Sequence, residues 1–472
     1  MAVIDQLLQQ KFHYKAFRPG QRATLTMLQR GQNVLAILPT GAGKTLIYQI
    51  YGELIHRPIL IISPLLALMN DQVERMRYSG ERRVVALNST LDWSERQDVL
   101  THLNRYRYLF VSPEMLANPQ ILKKFQKLLI GLFVIDEAHC ISQWAIDFRP
   151  DYLNLAHVLK KLGQPQTLLL TATASQQVRA DLQHKLRLPS LQTVVESINR
   201  PNIYLAVHHF NNEAAKQNYL LQLLQKLTPS SGIIYFSSKK MANVMATAIN
   251  RATNLATAAY HADLSNPDRY KIQQQFMNNQ LQVICATTAF GMGINKPDVR
   301  FVIHYHLPQD LPSYQQEIGR GGRDGLPSLA LLLYTDQDAN LARQLNSLDQ
   351  LTSVDLKAYQ TKQLTQVAPQ KQQLLRFYHH HRVTMEKLRI IFAQRAQQKQ
   401  QAFQALLEYI NQTGCRRKKL LASCSESFDQ HDDDCCDNGI ETEINADLYS
   451  STSQPATNKP IMDWREIITK LF

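Results

Sequence analysis

The segment LPTGAGKT, residues 38–45, has the residue types of a phosphate-binding loop. It follows the apolar stretch NVLAI and precedes a helical stretch, so its backbone N–H groups would face phosphate oxygens at the positive end of a helix dipole. Lys44 supplies a cation for the β and γ phosphates, and the Thr45 hydroxyl can ligate Mg²⁺. Leu38 stands where the strict pattern begins with glycine. The candidate nucleotide-binding residues are Thr40, Gly41, Gly43, Lys44 and Thr45. The alternative is a glycine-rich turn that binds nothing.

Two carboxylates, Asp136 and Glu137, directly follow the apolar stretch GLFVI. At the carboxyl end of a strand in a parallel sheet, an aspartate can hold the metal ion that accompanies a triphosphate. The neighbouring glutamate can orient or deprotonate the attacking water. An Asp-Glu pair after a strand can also be a surface turn. Together with the phosphate loop upstream, however, the pair favours ATP hydrolysis supported by Mg²⁺.

The segment SYQQEIGRGGRDG, residues 313–325, contains two arginines that are three residues apart, Arg320 and Arg323. On a helix they would project from nearly one face. One or both can reach across a cleft to the γ-phosphate as an arginine finger. The alternative is that they are ordinary solvated charges.

The bulk composition limits the class of protein. A chain of 472 residues is too long for one ordinary core, so two to four domains are expected. The net charge of +13 indicates a polyanionic partner, although a basic protein need not have one. No apolar run approaches the length of a membrane span, and the N-terminal residues do not form a secretory signal. The six cysteines do not suggest a disulfide framework, so we expect a cytoplasmic protein.

Short apolar strands alternate with helical stretches up to about residue 340, which predicts an α/β fold with parallel sheets covered on both faces. The series pauses in ESINRPNIYL, residues 196–205, where turn-forming residues suggest a domain boundary. We therefore expect lobes at 1–200 and 201–340, a helical subdomain at 341–440 and a polar tail at 441–472.

Nine segments, in this order, resemble the RecQ family of superfamily 2 DEAH-box DNA helicases. They are LPTGAGKT, IISPLLALMNDQV, VSPEML, DEAHCISQW, LTATA, IIYFSSKK, YHADLS, ATTAFGMGINKPDVRFVIHY and QEIGRGGRDG. The resemblance implies two tandem RecA-like lobes with ATP between them, and it adds Gln316 to the catalytic set. FHYKAFRPGQ resembles the adenine-recognition segment of the family, which implies that Tyr14 and Arg18 pack at the base and that Gln21 hydrogen-bonds its edge.

The resemblance also implies the DNA contacts. In the family, an aromatic-rich loop after DEAH senses single-stranded DNA, and His139 lies between that loop and the ATP site. The implied sensing residues are Trp144, Phe148 and Arg149. Aromatic faces stack on any base for roughly 1–3 kcal/mol each; a place in the protein core is the alternative for these rings. Hydroxyls and backbone N–H groups at Ser63, Thr171 and Thr173 would meet DNA phosphates.

The C-terminal part departs from the family pattern, which has four zinc-ligating cysteines, the last three as C-x-x-C-D-x-C. Cys415 in GCRRKKLL matches the first ligand. Aligning Cys436-Asp437 with the Cys-Asp of the pattern puts Asp433 at the second position and Gly439 at the fourth. The candidate Zn²⁺ ligands are therefore Cys415, Asp433, Cys435 and Cys436. The alternative is a site that has lost its metal.

The expected activity is that of an ATP-dependent helicase moving 3′ to 5′ on single-stranded DNA and unwinding tailed or forked duplexes in repair and recombination. About 30 residues follow Gly439, too few for the winged-helix and C-terminal helical domains common in the family. We therefore expect a short form, acting as a monomer, with a protein partner as a candidate source of duplex grip. An RNA helicase and an ATPase that needs a partner to unwind are the alternatives.

Overall fold

The structure is a computed structural model that describes residues 3–449 with internal gaps. The gaps are 65, 89–90, 143–151, 153, 173–175, 189, 228, 291–295, 348–350, 362, 365–366, 381, 425, 429–430, 432–433 and 441. Five predicted site residues, Trp144, Phe148, Arg149, Thr173 and Asp433, lie outside the described residues, as does the tail from residue 450.

The first sheet contains seven parallel strands in the order β3-β4-β2-β5-β6-β1-β7. They are β1 (Val34–Ile37), β2 (Ile59–Ile62), β3 (Val84–Leu87), β4 (Tyr108–Val111), β5 (Leu132–Ile135), β6 (Thr167–Thr171) and β7 (Gln192–Val195). The helices are α1 (Val3–Gln10), α2 (Gln21–Gln29), α3 (Lys44–Ile55), α4 (Leu66–Tyr78), α5 (Trp93–Thr101), α6 (Pro113–Ala117), α7 (Pro119–Phe125), α8 (Leu155–Lys161) and α9 (Gln176–Leu186).

The second sheet contains six parallel strands in the order β10-β11-β9-β12-β13-β8. They are β8 (Ile203–His209), β9 (Ser231–Tyr235), β10 (Thr257–Tyr260), β11 (Val283–Ala286), β12 (Val299–His304) and β13 (Ser328–Tyr334). The helices are α10 (Glu213–Lys226), α11 (Lys239–Ala252), α12 (Asn266–Met277), α13 (Leu311–Ile318) and α14 (Asp336–Ser347).

Polar caps define where the helices of the second lobe begin. The side chains of Asn212, Ser238, Ser265 and Asp310 each accept a hydrogen bond from the backbone N–H three residues later. Each cap satisfies one N–H group that the helix itself cannot pair. These four residues therefore set the N-termini of α10 to α13.

Helices cover both faces of each sheet, as the continuous apolar runs predict. Strands β1 to β6 are buried along their whole length, and only the edge strand β7 is mostly exposed. Two apolar clusters lie on opposite faces of the first sheet and two on opposite faces of the second. The prediction of two parallel-sheet lobes of RecA-like type followed by a helical region is confirmed.

The helical extension consists of α15 (Ser353–Thr361), α16 (Pro369–His380), α17 (Met385–Asn411) and α18 (Arg416–Ala422). Its first part has a small apolar core of its own, whereas the second half of α17 inserts Phe403, Leu406 and Tyr409 into the core of the second sheet. Beyond α18, Cys436 pairs in parallel with Leu205 and thereby covers the edge strand β8. Among the described helices, none has both the length and the hydropathy to cross a bilayer.

A buried ion pair joins α10 to α14. Lys216 is fully buried, and its Nζ lies 2.7 Å from the Asp338 carboxylate, which also accepts hydrogen bonds from Thr335. Removing one partner of such a pair leaves the other charge buried, at a cost of about 3–5 kcal/mol. Lys216→Ala is therefore expected to lower the free energy of unfolding by about that amount, measured by urea denaturation.

Lys226→Ala is the matched control, because Lys226 pairs with Glu443 at 3.1 Å where both side chains are more than half exposed. Exposed pairs contribute at most about 1 kcal/mol. Equal losses of stability in the two variants would contradict the buried-pair interpretation.

Candidate ATP site and metal cluster

The phosphate loop joins β1 to α3 at the carboxyl edge of the first sheet. Gly41 and Gly43 have φ values of +86° and +71°, a backbone region that favours glycine. A methyl group on Gly43 would lie 2.7 Å from Gln21 Nε2, so the loop could not hold its contact with Gln21. Lys44 starts α3, and its Nζ donates to the Leu38 carbonyl at 3.4 Å. The loop is thus closed into a cradle beneath a helix N-terminus.

The predicted adenine-recognition segment, residues 12–21, is hydrogen-bonded to the phosphate loop. Gln21 is buried and donates through Nε2 to the carbonyls of Ala42 and Gly43, at 2.8 and 3.0 Å. The Gln21 side-chain oxygen accepts from the Arg18 backbone N–H at 2.9 Å, and the Arg18 guanidinium donates to the Gly41 carbonyl. Tyr14 is 54% exposed, so its ring is accessible. The structure therefore brings Arg18 and Gln21 to the phosphate loop.

Asp136 and Glu137 follow β5, and β6 alone separates that strand from β1. Burial and the neighbouring Glu137 raise the pKa of Asp136 to about 7, while Lys44 and the Glu137 backbone N–H oppose the rise. That N–H donates to Asp136 Oδ1 at 3.0 Å. Glu137 has φ +50°, an uncommon value for a residue with a side chain, which is typical of strained functional positions. The charges of Glu137 and Lys44 therefore both act on the Asp136 carboxylate.

His139 connects this group to the end of β6. Its Nδ1 lies 3.0 Å from the Thr171 hydroxyl and 3.4 Å from the Glu137 carboxylate. Burial lowers the pKa of His139, although Glu137 opposes the shift. The imidazole is therefore held neutral near pH 7, between the carboxylate and the LTATA segment.

Two predicted DNA contacts are buried. Thr171 has no exposed surface, and its hydroxyl engages His139. Ser63 is 1% exposed, and its hydroxyl has no hydrogen-bond partner among the described residues. Both hydroxyls are therefore shielded from solvent in this conformation. Contact of Ser63 and Thr171 with DNA phosphates, through hydroxyls or backbone N–H groups, stays a prediction.

The second lobe brings its arginine segment to the phosphate loop. A methyl group built on Gly41 would lie 3.6 Å from Arg323 Cδ, and one on Gly319 would lie 2.6 Å from Thr40 Oγ1. Burial, together with repulsion from Arg320 and Arg200, lowers the pKa of Arg323 to about 9. Arg323 therefore lies beside the phosphate loop in surroundings that disfavour its positive charge.

The remaining predicted residues of the second lobe lie beside Arg323. Arg320 is buried and donates to the Tyr235 hydroxyl. Gln316 and Thr40 line a cavity between the lobes, together with Gly319 at the end of α13, residues 198–200 and Arg417. Residues from both lobes therefore surround one cleft. That arrangement can bind a triphosphate and stabilise charge as its terminal bond breaks.

Four potential metal ligands meet beyond α17. Cys415 Sγ lies 3.7 Å from Cys435 Sγ and 3.8 Å from Cys436 Sγ. His431 adds a ring nitrogen, and all four ligand atoms lie within 4.8 Å of one another. The sequence pattern missed His431 because the family pattern contains only cysteines; the signal was the histidine that begins HDDDCCDNG. Cys424 lies apart from this cluster and donates to Gln315 Oε1 at 2.9 Å.

Comparisons with known proteins agree with this geometry. Residues 18–181 match the DEAD/DEAH box helicase family, and residues 215–325 match the helicase conserved C-terminal domain. The probable ATP-dependent DNA helicase RecS of Bacillus subtilis is 37% identical over an alignment that covers all of this chain and 98% of that protein. This chain belongs to the RecQ family of ATP-dependent DNA helicases. The ATP-dependent DNA helicase RecQ of the same organism is 36% identical, over 72% of this chain and 58% of that protein.

Solved structures support the fold. The DUF1998 helicase MrfA bound to DNA has a TM-score of 0.62 and 16% identity, covering 74% of this chain and 53% of that one. The yeast (S. cerevisiae) Dbp5 bound to RNA has a TM-score of 0.60 and 21% identity, covering 73% and 90%. The predictions of a RecQ-family member and of an ATP-hydrolysing helicase are confirmed by the family matches.

Lys44→Ala removes the cation at the base of the phosphate loop. We expect the kcat for ATP hydrolysis to fall at least about 10²-fold, the usual cost of losing one such electrostatic contact. DNA affinity should be unchanged, because Lys44 faces the nucleotide cleft. The measurements are phosphate release and fluorescence anisotropy of labelled single-stranded DNA. Lys127→Ala, an exposed lysine of the same lobe, is the control; equal hydrolysis by the two variants would contradict the site.

Proposed function

We propose that this helicase couples ATP hydrolysis to 3′-to-5′ movement on single-stranded DNA and to the unwinding of tailed or forked duplexes. The observation that carries the proposal is the approach of Arg323 to Gly41 across the cleft between the lobes. A residue that recognises the γ-phosphate from the opposite lobe makes lobe spacing depend on the nucleotide state. Cyclic opening and closing can then move the lobes along a strand. The direction of movement rests on the family resemblance.

The catalytic roles follow from the geometry of the cleft. Lys44 and the N–H groups of the phosphate loop bind the β and γ phosphates, and Thr45 and Asp136 would hold Mg²⁺, which neutralises charge on the phosphates. Glu137 orients and deprotonates the attacking water. Arg320, Arg323 and Gln316 stabilise the charge that develops as the terminal phosphoryl group leaves.

The nucleotide base would be recognised by Tyr14, Arg18 and Gln21. This role is supported by the exposed ring of Tyr14 and by the contacts of Arg18 and Gln21 with the phosphate loop. Gln21 uses its Nε2 on the loop, so its edge contact to adenine would have to be made by its side-chain oxygen or after a rearrangement.

Communication with DNA would run through His139. The Glu137–His139–Thr171 contacts join the water-activating carboxylate to the LTATA segment, so a shift of that segment on DNA binding can reposition Glu137. Direct DNA contact by Trp144, Phe148, Arg149 and Thr173 stays a prediction. Action as a monomer also stays a prediction.

The metal cluster fits Zn²⁺. Tetrahedral zinc with Zn–S bonds of about 2.3 Å holds its sulfur ligands about 3.8 Å apart, and three thiols with one imidazole are an accepted ligand set. The separations of 3.7 and 3.8 Å agree with this value. When bound, the ion would cross-link Cys415 at the start of α18 to the segment that pairs with β8. We infer that Cys415, His431, Cys435 and Cys436 are the ligands.

Unwinding polarity tests the proposed function. A duplex with a 3′ single-stranded tail should open in the presence of ATP, and one with a 5′ tail should not, because the motor loads on the tail and moves in one direction. The measurement is strand displacement with a fluorophore and quencher on the two strands. If neither substrate opens while DNA still stimulates hydrolysis, the chain is a motor that needs a partner to unwind. Stronger stimulation of hydrolysis by RNA than by DNA would contradict a DNA helicase.

Metal content tests the zinc site. His431→Ala removes one of four ligands, so the zinc that copurifies with the chain should fall, and the melting temperature should fall with it. His157→Ala, an exposed histidine of the first lobe, is the control. The measurement is elemental analysis together with thermal unfolding, with and without a chelator. Absence of zinc from the wild-type chain, or no effect of chelator on its unfolding, would contradict the assignment.

A further inference from the structure

The two sheets are joined by residues 196–202, here called the linker, and the helical extension grips this linker from one side. Arg417 on α18 is 4% exposed. Its guanidinium donates to Asn199 Oδ1 at 3.0 Å, to the Arg200 carbonyl at 2.8 Å and to the Ile203 carbonyl. It also donates to Cys435 Sγ at 3.2 Å. One side chain therefore ties the metal cluster to the linker.

A second residue of the extension holds the preceding part of the linker. The Glu426 carboxylate accepts from the Ile198 backbone N–H at 3.1 Å and from the Ser197 hydroxyl. Hydrogen bonds to a charged partner are stronger than neutral ones. With Arg417, Glu426 contacts four consecutive linker residues, and this set of contacts is called the clasp.

The linker in turn holds the loop that carries the arginine fingers. The Arg200 guanidinium donates to the carbonyls of Gly319, Gly321 and Gly322, at 3.2, 3.0 and 2.6 Å. Asn202 Nδ2 donates to the Gly322 carbonyl at 2.8 Å. These carbonyls follow the C-terminus of α13, where a cation is favourable. A planar guanidinium can serve several carbonyls at once, whereas an ammonium cannot match that geometry.

The contacts thus form a continuous path from the extension to the nucleotide cleft. Arg417 and Glu426 restrain the linker, Arg200 restrains the arginine loop, and Arg323 in that loop approaches Gly41. A seven-residue polar linker without such contacts would leave the two lobes free to reorient. Transition-state contacts across the cleft require placement within a fraction of an ångström.

We propose that Arg200, Arg417 and Glu426 are positioning residues of the ATPase: through the clasp, the C-terminal extension sets the arginine loop against the phosphate loop. The inference rests on the arginine-finger role proposed above. It makes the extension part of the machinery that positions the nucleotide site, through contacts with the linker.

Two variants test the relay through kinetics. Arg200→Lys keeps the charge and loses the multiple contacts, and Glu426→Ala releases Ser197 and Ile198. In each, the kcat for DNA-stimulated hydrolysis should fall tenfold to about a hundredfold, the usual effect of misplaced catalytic groups. The affinity for a fluorescent, non-hydrolysable ATP analogue should stay within about twofold, because the first lobe supplies the phosphate loop. A structural defect would lower both.

Glu408→Gln is the matched control, since Glu408 lies on the same extension and pairs with Lys419 at 3.0 Å in an exposed position. Its kcat should equal that of the wild type. If Arg200→Lys fails to fold, the partly exposed Glu426 carries the kinetic test. A folded Glu426→Ala or Arg200→Lys chain with wild-type kcat overturns the proposal.

Hydrogen exchange tests the clasp without reference to hydrolysis. The Ile198 amide should be protected in the wild type and exchange about tenfold faster in Glu426→Ala, the effect of losing one hydrogen bond of moderate strength. Equal exchange in the two chains means that the clasp does not form, which also overturns the proposal. A wild-type chain without DNA-stimulated hydrolysis would instead count against the proposed function. The exchange measurement would still show whether the clasp forms.

Discussion

The burial of charged side chains at the cleft between the lobes is the constraint around which the rest of the structure is arranged. Burial, followed by the charges of Arg320 and Arg200, lowers the pKa of Arg323 to about 9. Such a cluster is unfavourable unless an anion compensates it. It persists because Arg200 is tied to three carbonyls and Arg320 to a tyrosine hydroxyl. Under the proposed function, a triphosphate at the phosphate loop would bring negative charge to these arginines.

The opposite wall of the cleft, in the first lobe, contains two adjacent carboxylates. Glu137 is buried beside the half-buried Asp136, and burial together with the charge of Glu137 raises the pKa of Asp136 to about 7, while Lys44 opposes the rise. Under the proposed function, the metal ion would add positive charge at this wall and the phosphates negative charge at the arginines, which would couple lobe closure to nucleotide binding.

The helical extension contacts both the second lobe and the linker between the lobes. Its α17 is packed into the core of the second sheet, so the extension moves with that lobe. Arg417 and Glu426 reach from it to the linker, next to the first lobe. Cys435 lies against Arg417, so the metal cluster and the clasp share a structural element. The proposed positioning role of the clasp would therefore make the geometry of the ATP site depend on the stability of the extension.

The sequence by itself determined the sheets, the phosphate loop and the family. Apolar strands such as LLLT of β6 are stable only when helices cover both faces of the sheet. Gly41 and Gly43 have positive φ values, which few other residues adopt. Lys44, Asp136 and Arg323 could be predicted because their residue types and their spacing within short motifs indicate their chemistry.

Only the tertiary structure decided the contacts between distant segments. Nothing in local pattern relates Thr171 to His139, or Glu426 to Ile198, because hydrogen-bond partners across a fold depend on how whole lobes pack. Likewise, the path of the chain places His431 beside Cys415, Cys435 and Cys436. Spacing rules for cysteines alone do not predict a histidine ligand. The chemical type of a side chain follows from the sequence alone. Its hydrogen-bond partners, its burial and its pKa depend on how the whole chain packs.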